Sequence, residues 1–295
     1  MNMEYILHGH ACKKFDVSLT HEVNKILKIN GNEFPGPQPV SIERKHICLL
    51  KKKIYHAGLK NDGERFLFCF FEYEKKFITC LVNRKGDTFL INISATKQAF
   101  MGTVVDCELV GNTLFIFDCY VVCGRNLQGL AFSERLSAAD TIINSIKCIN
   151  HSFDVVKKQF VPIANFEILT KLSLENTDGY IFMPENDEVR TGTHNTMFKW
   201  KPLLKNTIDF ALMGNKTYLQ NGGKLTWVKV KIDTSALNIQ ISNDTPTIVE
   251  CEFVCDKSWK ALNVRNDKTY PNSQFTYKKT LINIIENIIE NEFIF

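Results

Sequence analysis

Ten cysteines occur in the 295 residues, but no CxxC pair does. That absence removes the usual spacings of zinc knuckles and redox motifs. Cys119 with Cys123, and Cys251 with Cys255, stand in apolar strand-like runs. All ten therefore read as reduced, mostly buried thiols. His8 and His10 offer no metal-ligand spacing either. No apolar run approaches a membrane span, and the N-terminus lacks the apolar segment of a secretory signal, so a non-membrane, intracellular protein is expected. An excess of one charge is missing too: the formal net charge is +4, and residues 204–295 carry eleven Lys plus Arg against ten Asp plus Glu. A nucleic-acid coat protein would be more basic, so any such ligand is expected at a site and not along a stripe. There is no internal repeat or low-complexity tract.

The length suits two domains, expected at 1–203 and 204–295. The first is organised around Leu59-Lys60-Asn61-Asp62-Gly63-Glu64-Arg65, between the basic segment Lys51–Tyr55 and the apolar run Phe66–Phe71. That places Lys60 at the mouth of a buried strand. An amine attacks phosphorus only after losing its proton, which neighbouring cations or a metal promote. Gly63 allows a tight turn, Asp62 can hold the amine, and Arg65 adds a charge suited to phosphate. Taken alone, a Lys-Asn-Asp-Gly turn on the surface is the commoner meaning of such a stretch.

Leu19, Val23, Ile26 and Leu27 mark an amphipathic helix over 16–27, capped by Asp16 or Ser18. Phe34–Arg44, with three prolines, is expected to be a rigid loop and neither helix nor central strand. Strands are expected at 66–71, 77–82 and 88–93, with Arg84 at a strand end, where it could equally be a solvated turn residue. A hairpin over 103–110 and 113–122 turns at Gly111-Asn112. Asp106, Glu108 and Asp118 lie within its apolar strands, and burying them calls for a metal, a ribose hydroxyl or a lysine. Residues 132–149 read as a helix capped by Ser133. Asp178 enters a strand. Lys199 and Lys201 share one face of a short strand ended by Pro202, as a phosphate pocket or as edge protection. Beyond Leu204, strands at 207–212, 225–232, 237–241 and 248–254 suggest a small barrel, followed by a helix over 274–289.

Together these segments, from Phe34 to Ile289, resemble the mRNA capping guanylyltransferases among the covalent nucleotidyltransferases. Lys60-Asn61-Asp62-Gly63 is similar to their KxDG nucleophile motif, Asp106-Cys107-Glu108 to a second motif, usually DGE, and Phe117-Asp118 to an aromatic-acidic third. Asp178-Gly179, Lys199-Trp200-Lys201-Pro202 and Arg265-Asn266-Asp267-Lys268 resemble the rest, in the family's order. The FPGxQPVS loop, the KWKP strand and RxDK favour the capping branch over ligases. Cys107 departs from the usual glycine. Asn263 replaces a commonly basic residue, which Lys260 could supply.

The resemblance implies an α+β fold: a nucleotidyltransferase domain of ATP-grasp-like antiparallel sheets, then a C-terminal OB-fold barrel whose last helix can pack back on the first domain. It implies that Lys60 takes GMP from GTP and passes it to the 5′-diphosphate end of RNA. Arg65, Lys199 and Lys201 would serve the phosphate, Arg84 the sugar, and Glu108 and Asp178 the ribose and Mg²⁺ or Mn²⁺. Phe117 would stack on guanine, with Phe115 as a rival. Arg265, Asp267 and Lys268 would reach the β- and γ-phosphates on domain closure. Implied partners are a separate RNA triphosphatase, a cap methyltransferase and the RNA polymerase II C-terminal tail; the implied location is the nucleus, or a cytoplasmic factory for a virus. The alternatives are a ligase-like enzyme carrying AMP on Lys60 and a nonenzymatic RNA- or polymerase-binding module.

Overall fold

The computed structural model describes residues 4–7, 10–14, 19–31, 34–149, 153–172, 177–255 and 257–295. They form two compact units: 1–40 with 49–199 and 294, and 41–48 with 200–293 and 295. In chain order the elements that matter are α1 (Thr20–Leu27), β1 (Pro37–Ser41), β2 (Tyr55–Asn61), β3 (Glu64–Tyr73), β4 (Lys76–Asn83), β5 (Thr103–Val110), β6 (Thr113–Val122), α2 (Phe132–Ser137), α3 (Ala139–Ser145), β7 (Thr177–Pro184) and β8 (Gly192–Trp200). The second unit adds β9 (Thr207–Met213), β10 (Lys216–Asn221), β11 (Lys224–Val228), β12 (Lys231–Asp233), β13 (Thr247–Cys255), β14 (Ser258–Val264) and α4 (Gln274–Glu286).

A nine-stranded sheet runs through β4-β3-β5-β6 at its centre, and a five-stranded sheet contains β2-β7-β8-β1 in that order. The Asp62-Gly63 turn carries the chain from β2 in one sheet to β3 in the other. Phe66 to Phe70 are all 0% exposed, so β3 is covered on both faces as its unbroken apolar run requires. Each of its phenylalanines contributes roughly 2–3 kcal/mol by burial. Helix α1 packs Leu19, Val23 and Leu27 against one face; the expected caps Asp16 and Ser18, and His8, lie outside the described residues.

Several elements differ from expectation for identifiable reasons. The proline-rich segment contains an edge strand, β1, where a residue without an N–H loses no ladder bond, and then a short 3₁₀ turn at Arg44–His46. The helix expected over 132–149 is two short helices followed by a strand, Ile146–Ile149, paired with Ile93–Ala95. Ser133 does not cap it: its N–H and hydroxyl both donate to Glu185, while Glu134 accepts from Ala131 N. The strand expected at 88–93 splits into Thr88–Leu90 and Ile93–Ala95. Strand β8 is longer than expected and ends at Trp200, leaving Lys201 just beyond it.

In the second unit the sheet order is β11-β10-β9-β13-β14-β12. β10 and β14 were not anticipated, and 237–241 forms no strand although Leu237, Ile239 and Ile241 pack on the core. No described pairing closes the sheet, yet only Lys229 and Val230 separate its two edge strands, β11 and β12. Three peptide steps reach about 11 Å, whereas the edges of a flat six-stranded sheet lie about 24 Å apart. The sheet therefore curls towards a barrel, with Phe210, Leu219 and Trp259 inside and α4 packing Tyr277, Leu281 and Ile284 onto them. Helix α4 ends earlier than expected, at the left-handed Asn287. Among the described residues no helix is long and apolar enough to cross a membrane.

Candidate active site

Lys60 lies near the C-terminal end of β2, within the strand and not in the turn after it, opposite Gly179 of β7. The ladder is regular until Asn61 pairs with Thr177, which leaves Asp178 as the extra residue of a β-bulge. A bulge re-aims a side chain. Here Asp178 accepts a hydrogen bond from Lys60 Nζ at 3.0 Å, with both groups partly open to solvent. Asp62, proposed for that task, is exposed. Gly63 is required for a reason other than its turn: a Cβ there would come within 2.5 Å of Leu109 O and 2.9 Å of Glu108 Cγ on β5.

A second bulge, between Ile116 and Asp118, singles out Phe117 on β6. Arg65 lies 5.4 Å and Lys158 5.8 Å from its ring centroid, an arrangement that distinguishes Phe117 from Phe115. Lys158 was not singled out from the sequence. It is buried, its ammonium donates to Glu108 at 3.1 Å, and its neighbour in charge is Lys60. Burial holds the Lys158 pKa below the ordinary lysine value; Glu108 opposes that shift and the positive charge of Lys60 adds to it.

Of the three strand carboxylates, Asp106 and Asp118 are met by arginines, and Glu108 by a lysine, Lys158. Arg65 donates through Nε to Asp106 at 2.8 Å, through Nη2 to the same carboxylate, and through Nη1 to Pro37 O at 2.7 Å. Its guanidinium also lies 5.1 Å from the Phe34 ring, and Gly36 passes so close that a Cβ would strike it. The FPGxQPVS segment is thus laid over Arg65. Burial alone would lower the Arg65 pKa, but Asp106 outweighs it and the charge is kept. Tyr120, whose pKa burial and then Asp106 push well above its usual value, donates its hydroxyl to Asp106. Asp118 pairs with Arg135 at 2.8 and 3.0 Å, both groups buried. Arg65 is therefore a clamp on Asp106 and the Phe34 loop, with three of its N–H donors engaged.

Arg84 follows β4 in a turn and is exposed by area, yet its guanidinium is crowded enough that desolvation, then the charge of Arg65, lowers its pKa. Cys107 fits where the family has glycine because its side chain is fully buried and packs into the apolar core behind the strand, with its thiol on Phe66 O. Lys199 and Lys201, both half-buried, flank the buried Trp200. In the second unit Arg265 grips Asp267 at 2.9 and 2.8 Å and reaches Asp209 at 3.3 Å, and Lys268 also pairs with Asp209. Asn263 donates to Glu250, whose same oxygen lies 3.7 Å from Arg265 Nη1, so it joins the edge of that cluster, whereas Lys260 faces Glu252 at 3.4 Å.

Among the described residues no three His, Cys, Asp or Glu side chains gather as a metal cage. The separate carboxylates Asp178 and Glu108 suit instead a hard cation that keeps its waters and shares phosphate oxygens, which needs only one or two protein ligands. A cavity of about 470 Å³ lined by Lys53, Asp187, Arg190, His194 and Thr196 lies beyond the opposite end of β7 from Asp178 and contains none of these groups.

Residues 3–203 match the family model for the mRNA capping enzyme catalytic domain, and 212–294 that for the mRNA capping enzyme C-terminal domain. An mRNA-capping enzyme of Caenorhabditis elegans is 24% identical over 315 residues, covering 92% of this chain and 49% of that protein. One of Mus musculus is 28% identical, covering 90% and 49%. The mRNA-capping enzyme subunit alpha of Schizosaccharomyces pombe is 25% identical, covering 93% and 82%. The chain spans about half the length of the two animal relatives. A solved structure of mycobacterial DNA ligase D complexed with ATP and MES is 14% identical, with a TM-score of 0.43 over 79% of this chain and 93% of that one. With family models matching along most of its length, the chain belongs to the mRNA capping enzyme family.

Proposed function

We propose that this chain is an mRNA guanylyltransferase working through a covalent lysyl-GMP. The observation that carries the reading is the Lys60–Asp178 pair, held by a bulge at the end of β2 and β7, with Lys158 and Glu108 beside it. In the first step Lys60 Nζ forms a bond to the α-phosphorus of GTP, the bond to pyrophosphate breaks, and the amine proton leaves by way of Asp178. In the second, an oxygen of the 5′-diphosphate of RNA attacks the same phosphorus, the P–N bond breaks, and Lys60 recovers a proton. The product is the GpppN end.

The half-buried Lys199 and Lys201 supply positive charge to the phosphates. When bound, Mg²⁺ or Mn²⁺ would sit on phosphate oxygens, waters and Asp178 or Glu108, and would neutralise triphosphate charge. A base lying on Phe117 meets the ammonium of Lys158, which can only donate. Guanine offers acceptors where adenine offers an amino group, so this favours GTP. Arg265, Asp267 and Lys268 serve the leaving pyrophosphate. A separate RNA triphosphatase would provide the diphosphate end, and a cap methyltransferase would act afterwards. Incubation with labelled GTP and, separately, ATP tests the reading: label from GTP supports it, label from ATP indicates a ligase-like enzyme, and label from neither a binding module.

A further inference from the structure

The hairpin of β10 and β11 carries an aromatic pair that the covalent chemistry does not use. Tyr218 and Trp227 are direct cross-strand partners, a spacing at which side chains on one face touch. Their neighbours Thr217, Leu219 and Val228 turn inward, while Trp227 is 57% exposed. Around them, residues 211–232 include Lys216, Lys224, Lys229 and Lys231 and no Asp or Glu. All four lysines are exposed. An apolar face left open by itself would name no partner. One ringed by lysines without a carboxylate fits a flexible polyanion with flat bases, since stacking tolerates any base and lysines track the backbone.

The register relates this pair to the Arg265 cluster. Tyr218 stands opposite Ala211, Ala211 opposite Ile248, and Arg265 N donates to Ile248 O at 2.8 Å. The row from Trp227 to Arg265 therefore lies on the face of the sheet away from Phe210 and Trp259, with Ala211 and Ile248 buried between the aromatic pair and the Arg265 cluster. Four strand spacings put its ends about 19 Å apart, within the reach of an OB-type site of about 4–16 nucleotides.

We propose that Tyr218 and Trp227 form a stacking platform for single-stranded RNA, and that the acceptor strand runs from this pair towards the Arg265 cluster. The RNA acceptor rests on the proposed guanylyltransferase function; binding by the platform does not require it. The test is a titration of the intact protein, without GTP, by a short single-stranded RNA bearing a 5′-diphosphate. Trp200 and Trp259 are buried, so fluorescence quenching reports chiefly on Trp227. Quenching is expected in the parent; in the variants, which lack that fluorophore and are read by the anisotropy of a dye-labelled copy of the same RNA, affinity should weaken about 10-fold in Trp227→Ala, from the usual loss of one stacked base, and be largely kept in Trp227→Phe. Lys216→Gln with Lys229→Gln should flatten the salt dependence of binding by about two charges. Unchanged RNA affinity in Trp227→Ala overturns the platform, and so does equal quenching by a base-free polyphosphate. Covalent labelling by GTP is scored on the same preparations. Its failure would strike the proposed reaction, while the titration stands or falls independently.

Discussion

Arg65 offers the sharpest test of how the site is held. Arg65→Ala would leave Asp106, which is fully buried, with only the Tyr120 hydroxyl among these partners, and would release Pro37 O and the Phe34 and Phe117 rings. Breaking a buried pair by removing one partner costs about 3–5 kcal/mol. Each ring contact adds about 0.5–1 kcal/mol. A loss near 5 kcal/mol in a unit of this size lowers Tm by about 10–20 °C. Arg65→Lys keeps the charge but not the fork, and should fall between the parent and Arg65→Ala. Adding Asp106→Asn to Arg65→Ala removes the stranded charge and should restore about 2 kcal/mol. Thermal melts by circular dichroism of these four proteins and of Asp106→Asn alone complete the cycle. A change under about 0.5 kcal/mol for Arg65→Ala, the size of an ordinary surface substitution, would refute the clamp, and so would strict additivity in the double variant.

Other variants separate chemistry from fold. Asp178→Asn should cut enzyme-GMP formation at least about 100-fold with little change in Tm; Glu108→Ala should lower both, because it strands buried Lys158. Equal melting of the two would remove Glu108 from the buried network. Arg265→Ala and Lys268→Ala each leave Asp209 one cation, so both should fold and slow enzyme-GMP formation much more than transfer of preloaded GMP to RNA. Equal slowing of both steps would end the pyrophosphate assignment. His194 has its pKa lowered from 6.5 chiefly by burial. A depressed pKa means that the stability it contributes is present above about pH 6.5 and lost as pH falls towards the folded value. His194→Gln should flatten the Tm profile below pH 6.5, and an unchanged profile would exclude His194 as its source.

What could be seen in the sequence was chemistry carried by residue type at fixed spacing: Lys60, Asp178 and the RxDK cluster. The carboxylates in β5 and β6 announced that cations must meet them, because charge in an apolar strand is costly. Which cations could not be seen, since Asp106 finds Arg65 41 residues away and Asp118 finds Arg135 across a helix. Lys158 stands beside Lys157, and only the fold distinguishes them: one is buried on Glu108, the other exposed on Asp140. The bulges at Phe117 and Asp178 add one residue each to a ladder and leave no mark in composition or periodicity. Residues 132–149 kept apolar positions in helical spacing, yet Ile146–Ile149 found a strand partner in Ile93–Ala95. Tertiary pairing overrode local preference there.

The most direct measurement is peptide mapping of the protein after incubation with GTP and a divalent cation. One GMP adduct is expected, joined through nitrogen to Lys60, and none in a folded Lys60→Ala protein. An adduct at another lysine, Lys158 included, or labelling retained by Lys60→Ala, would contradict that expectation.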